Sequence, residues 1–280
     1  MSFRSALFGA LCCLLFAGCA TLLSPQEARE GRALRAEADA EAQAEAAHVA
    51  SIPRDVALLE IARRRDARAD HEGLVVFLGH ADASVRAAAT RAIALVGDHR
   101  AGDVIIHQLS DPADEVATEA AFGLGQLQFW NVTPLERTQL TVQIEEALLH
   151  ELDDCRRELR WGDPARSEFC RVVVRSLGVV GGEGANEMLW DQLSRGIASP
   201  DLQRAVALAL AVQAKGGRGV AISAERVSWL APLLIETDNP SQWAAAYLLA
   251  RAEVAEEARA SVVTLLRLAW DRAGSETVRA

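Results

Sequence analysis

A stretch of this chain returns 31 residues after its first occurrence. Residues 82–97 read Asp-Ala-Ser-Val-Arg-Ala-Ala-Ala-Thr-Arg-Ala-Ile-Ala-Leu-Val-Gly. The second copy begins Asp111-Pro112-Ala113-Asp114-Glu115-Val116 and reaches Gly125. Val85 matches Val116, Ala89 matches Ala120, and Ala92 matches Gly123. Each copy follows a short apolar segment, at residues 74–78 and 104–109. Asp82 and Asp111 stand where a helix N-cap is wanted, and Gly97-Asp98 reads as a helix stop. The repeating unit is therefore helix–turn–helix. A pair of helices this short cannot bury its own apolar stripe and must stack on copies of itself, at least three deep.

Weaker copies continue the pattern. Asp163-Pro164 opens a helix reaching Gly178, Ser199-Pro200-Asp201 opens one reaching Lys215, and Asp238-Asn239-Pro240 opens one reaching Ala252. Partner helices fall near 134–153, 184–196, 223–236 and 255–272. This gives about five pairs, with capping helices near 54–68 and 255–272. Composition agrees. Aromatic content is 5%, and alanine, the best helix former, is abundant. Alternating β-branched runs are nearly lacking. The chain reads as all-α. A compact globular helical body is the competing fold, and it does not call for a signal returning at a near-constant interval.

On Val85-Arg86, Ala89, Ala92 and Gly97, and on Val116, Ala120 and Gly123, residues 71–128 resemble HEAT-like repeats of the short type known from phycobilin lyases. The Arg at the start of the second helix is present as Arg86, whereas Ala117 replaces it in the next unit. The resemblance implies a right-handed α-solenoid of about five HEAT-like helix pairs over residues 51–280. It implies a binding surface built largely by the second helices, whose polar positions include Arg86, Arg91, Glu115 and Glu119. Ion pairing within a repeat is the alternative role for each.

The N-terminus carries a separate message. Arg4 precedes an apolar run from Ala6 to Ala17, broken by Gly9. The run falls short of the roughly 20 residues that cross a bilayer. It has the build of a secretory signal peptide. Leu15-Phe16-Ala17-Gly18-Cys19 resembles the lipobox of bacterial lipoproteins. That implies removal of residues 1–18 and acylation of Cys19, with Ala20 favouring the outer membrane over the inner one. Each buried CH₂ is worth about 0.8 kcal/mol, so two or more acyl chains hold stably. An ordinary signal peptide with a coincidental cysteine is the competing reading. Residues 19–50 are a polar Ala/Glu-rich tether, with neither a wide apolar face nor the a/d heptads of a coiled coil.

Two cysteines remain in the mature chain, Cys155 and Cys170. Export places them in an oxidising compartment. They either pair across the turn at Gly162-Asp163-Pro164 or stay buried as free thiols, which pack as small apolar groups. Trp130, Trp161 and Trp190 are expected at contacts between repeats, with an aromatic binding groove as the alternative.

The search for chemistry yields little. HExxH, CxxC and GxSxG do not occur. His99 and His107 stand either side of a predicted helix start and read as solvated helix-end histidines, with a shared metal site as the alternative. Residues 178–184 are glycine-rich but match no phosphate loop. The pairs Glu145-Glu146 and Asp153-Asp154 read as solvated faces. With a net charge of −10 and no basic cluster, nucleic acid is not a partner. The expectation is a membrane-anchored scaffold of the bacterial cell envelope that binds protein. It is not an enzyme and uses no cofactor, metal or small-molecule substrate. An accessory subunit of an envelope lyase or isomerase is the alternative.

Overall fold

A computed structural model of the chain describes residues 48–67, 71–127, 133–158, 164–195, 199–215, 221–236 and 241–272. The chain divides into residues 1–51 and residues 52–280. In the first unit, the described residues end in a turn. There the Ser51 N–H and hydroxyl both donate to the His48 carbonyl, at 3.0 and 2.7 Å. Cys19 and most of the tether lie outside the described residues.

The second unit is a two-row helical array. It opens with α1 (Arg54–Asp66). Five pairs follow: α2 (Glu72–Val75), continued by a 3₁₀ turn (Val76–Gly79), with α3 (Ala83–Val96); α4 (Gly102–Gln108) with α5 (Asp114–Gln126); α6 (Pro134–Glu158) with α7 (Pro164–Val180); α8 (Glu183–Ser194) with α9 (Pro200–Lys215); and α10 (Ala224–Ile235) with α11 (Gln242–Arg251). Helix α12 (Arg259–Arg272) closes the described chain. The second helices stack on one another in the order α1, α3, α5, α7, α9, α11. The first helices line up behind them as α4, α6, α8, α10, α12. This is the all-α solenoid arrangement that the repeat predicts. The helices near 54–68 and 255–272 stand at its ends.

Local chemistry sets the helix ends. Asp82 caps α3 by accepting from the Ser84 N–H at 2.8 Å, and Gly97 leaves the helix at φ 74°, a conformation glycine adopts without strain. At α6, the Thr133 hydroxyl accepts from the Glu136 N–H while Glu136 accepts from the Thr133 N–H, a capping box ahead of Pro134. The expected cap at Asp111 is not formed. Helix α5 starts at Asp114 with Ala113 as its N-cap residue. The reason is register: 31 residues after Asp82 comes Ala113, and the counterpart of Asp111 is His80. The two do the same work. His80 Nδ1 accepts from the Asp82 N–H at 3.0 Å, and Asp111 Oδ1 accepts from the Ala113 N–H at 2.9 Å.

Small residues let the second helices stack closely. A Cβ on Gly123 would lie 2.8 Å from Ala94 Cβ, and one on Gly125 would lie 2.6 Å from Ser176 Oγ. Hydrogen bonds reinforce the contact where space allows: Ser176 Oγ donates to the Ala121 carbonyl at 2.7 Å across α7 and α5. Buried amides stitch later units. Asn186 Nδ2 donates to Gln213 Oε1, and Gln213 Nε2 donates to the Leu177 carbonyl. The Val172-Val173-Val174 run, β-branched though it is, lies inside α7. All three are buried, so packing overrides local preference. The chain is not wholly helical: Ala221–Ile222 pairs in parallel with Glu253–Val254.

Candidate interaction surface

Each second helix has four sides. Two face its neighbours in the row and a third faces the first helices. The fourth is left to solvent. On α7, Ser176 faces α5, Gly178 faces α9 and Cys170 faces α6. The remaining side carries Arg171, Arg175 and Val179. On α9, Ala209 faces α7 and Gln213 faces α8, leaving Arg204, Leu208 and Val212. The same construction leaves Arg91 and Leu95 on α3, Glu115, Glu119 and Phe122 on α5, and Trp243 and Tyr247 on α11. These sides form one continuous band. Leu95, Val179, Val212 and Trp243 are 54%, 42%, 45% and 42% exposed on it.

The four residues expected at a partner surface divide. Arg86 is withdrawn from it. Its guanidinium grips the Asp111 carboxylate through two bonds of 2.8 Å, and Nη1 also donates to the carbonyls of His80 and Ala81. Both side chains are mostly buried, at 15% and 8% exposure. Arg86 thus ties its own unit's turn to the next one. The Arg86 guanidinium holds the Asp111 carboxyl below the ordinary carboxylate range, outweighing the desolvation that would raise it. Glu115 is exposed on the band. Arg91 and Glu119 also lie there, as an ion pair at 3.4 Å, with the Arg91 guanidinium 6.0 Å from the Phe122 ring. Glu119 is half-buried, and desolvation raises its pKa more than Arg91 lowers it.

Other residues settle into structural roles. Cys155 and Cys170 form a disulfide with Cα atoms 5.7 Å apart, joining α6 to α7. Both are fully buried. A cross-link closing a 15-residue interval constrains the unfolded chain by about 3 kcal/mol. Replacing both by Ala should lower the urea midpoint by the equivalent of about 2–3 kcal/mol, and dithiothreitol should then have no further effect on the variant. A midpoint equal to that of the parent would contradict this.

Glu145, expected on a solvated face, instead accepts from the Ala185 N–H at 2.8 Å. It caps α8 from a different helix, because the carboxylate complements the positive end of the helix dipole. Trp190 is 1% exposed. It packs 6.1 Å from Trp229 between α8 and α10, beneath the Arg226 guanidinium at 5.0 Å, at a contact between repeats. Trp130 and Trp161 lie outside the described residues.

His71 makes a buried pair with Asp98, Nδ1 to Oδ2 at 2.7 Å. Arg100 and then His71 hold that carboxyl well below its usual range. His99 stands 3.8 Å from Asp98, and His107 is exposed. Among the described residues, no group of three or more His, Cys, Asp or Glu side chains is placed to hold a metal ion. No described helix is long and apolar enough to cross a membrane.

The sequence reading missed Leu95, Phe122, Arg175, Val179, Val212, Tyr247 and Arg251. A usable signal was present: Arg91 and Leu95, Arg175 and Val179, and Leu208 and Val212 each stand four apart, on one side of their helix. No protein-family model matches the chain, and no curated protein is similar to it in sequence.

Proposed function

We propose that this protein is a membrane-tethered scaffold of the bacterial cell envelope, which binds a protein partner along the exposed band of its second helices. The observation that carries the reading is the band itself: α3, α7, α9 and α11 each leave a large apolar side chain in water, at Leu95, Val179, Val212 and Trp243. Apolar side chains aligned on one face mark association surfaces. The lipobox-like segment ending at Cys19 supplies the tether. The Cys155–Cys170 disulfide fits an exported chain, since such bonds persist in oxidising compartments.

A photo-crosslinking residue placed at Val179 or Val212 in living cells tests this. The expected result is an adduct to one envelope protein from both positions and none from Val142, which is exposed on a first-row helix. Cys19→Ala should move the chain out of the membrane fraction and remove the adduct. Equal labelling from all three positions, or none from any, defeats the docking reading. Retention of the Cys19→Ala chain in membranes defeats the tether.

A further inference from the structure

Building on the docking reading above, we infer that the part of the band formed by α7, α9 and α11 receives an acidic segment carrying apolar side chains from a partner protein. The argument starts from where the cations are spent. Arg54, Arg86, Arg166, Arg171, Arg204 and Arg226 each sit against a carboxylate. Arg175, Lys215, Arg251 and Arg267 form no ion pair among the described residues, and the first three lie on α7, α9 and α11. All three are exposed, and all three fall in this one region. Lys215 is also the only lysine in the chain.

Register brings them together. Gly178 of α7 lies against Ala209 of α9, and Ser241 at the start of α11 donates to the Pro200 carbonyl at the start of α9. Arg175 therefore stands between the levels of Arg204 and Leu208, and Val179 between those of Leu208 and Val212. Tyr247 and Arg251 continue the row, with the Arg251 guanidinium 5.1 Å from the Tyr247 ring. Glu168 and Asp201 are engaged by Arg171 and Arg204, Glu119 on the neighbouring α5 is paired with Arg91, and Glu253 is exposed two residues beyond Arg251. What remains is a positive, apolar strip on a chain of net charge −10.

Unpaired cations interleaved with exposed valines fit a ligand whose acids and apolar groups alternate. The charges select the partner and steer its approach, and the apolar contacts supply affinity. An anionic lipid surface fits less well. Each cation contributes only about 1 kcal/mol there, against repulsion from the net negative charge of the protein.

The test uses the full chain in detergent micelles and three labelled helical peptides of about 20 residues, whose length of about 30 Å spans three helices packed about 10 Å apart. One peptide is built of Glu and Leu, one of Lys and Leu, and one of Glu and Ser. The Glu/Leu peptide should bind roughly tenfold more tightly than the Lys/Leu peptide, and high salt should erase the difference. The Glu/Ser peptide should bind weakly. The Arg175→Glu/Lys215→Glu variant should reverse the preference without lowering Tm, since both side chains are exposed.

Equal binding of both Leu peptides, or a preference unchanged in the variant, overturns the inference. So does binding of the parent, but not of the Arg175→Glu/Lys215→Glu variant, to vesicles of phosphatidylglycerol. The two readings fail separately. Crosslinks from Val179 without any charge preference leave the scaffold and remove the acidic ligand. A charge preference without crosslinks in cells does the reverse.

Discussion

Gly178→Val should cost about 3 kcal/mol or more of stability and split the unfolding of the array into two transitions. A Cβ at this position would stand 2.6 Å from the Cα of Ala209. The obstacle is backbone in the next helix of the row, so no rotamer change relieves it, and α7 and α9 must move apart. Overpacking of this kind commonly costs about 1–3 kcal/mol, and more where nothing yields. In a stacked array each unit is held by its neighbours, and total stability is close to a sum of unit and interface terms. Weakening the α7–α9 interface therefore uncouples residues beyond α8 from those before it. Hydrogen exchange read along the chain should show α9 and α11 losing protection before α3 and α5. Gly79→Ala is the control, because nothing lies within 4 Å of the added Cβ. A single sharp transition with the parent's midpoint in Gly178→Val would contradict the packing argument.

Arg86→Ala should destabilise the array by about 2–4 kcal/mol, because it strands a buried carboxylate. Asp111 would keep only the Ala113 N–H, and the carbonyls of His80 and Ala81 would lose their donor. The pH dependence follows from the direction of the Asp111 shift. Its folded pKa is lowered, with the Arg86 guanidinium as the first cause. A depressed carboxylate contributes stability that is fully present above its unfolded pKa, near 3.9. That contribution is lost as pH falls through the lower folded value. The gap between the parent and Asp111→Asn, measured by urea unfolding, should therefore be constant from about pH 6 to 8 and shrink below about pH 4. A gap that widens in acid would show that Asp111 is not held ionised by Arg86.

The solenoid was legible because one signal recurs. The Val85 and Val116 copies, with their small residues and flanking turns, need no long-range information to be recognised. Helix boundaries followed wherever a capping residue acts within its own segment, as at Asp82 and Gly97. The disulfide stayed open between two readings, because it depends on how α6 and α7 pack. The glycines were visible, but not which helix each one approaches. Among the charged residues, spacing alone could not separate Arg86 from Arg91. Both sit on the second helix of the same repeat, and only the first meets the turn of the next unit.

The sequence by itself therefore determined the helix content, the repeat and its stacking, since periodicity and capping are written in residues close to one another. The tertiary structure decided which side of each second helix is used in packing and which is left over. It turned Arg86 and Glu145 into internal ties and left Arg175, Val179, Val212, Lys215 and Arg251 exposed on α7, α9 and α11. The physical reason is that exposure and ion pairing belong to neighbours 25 to 40 positions away in the chain, and no local pattern specifies which of those neighbours arrives.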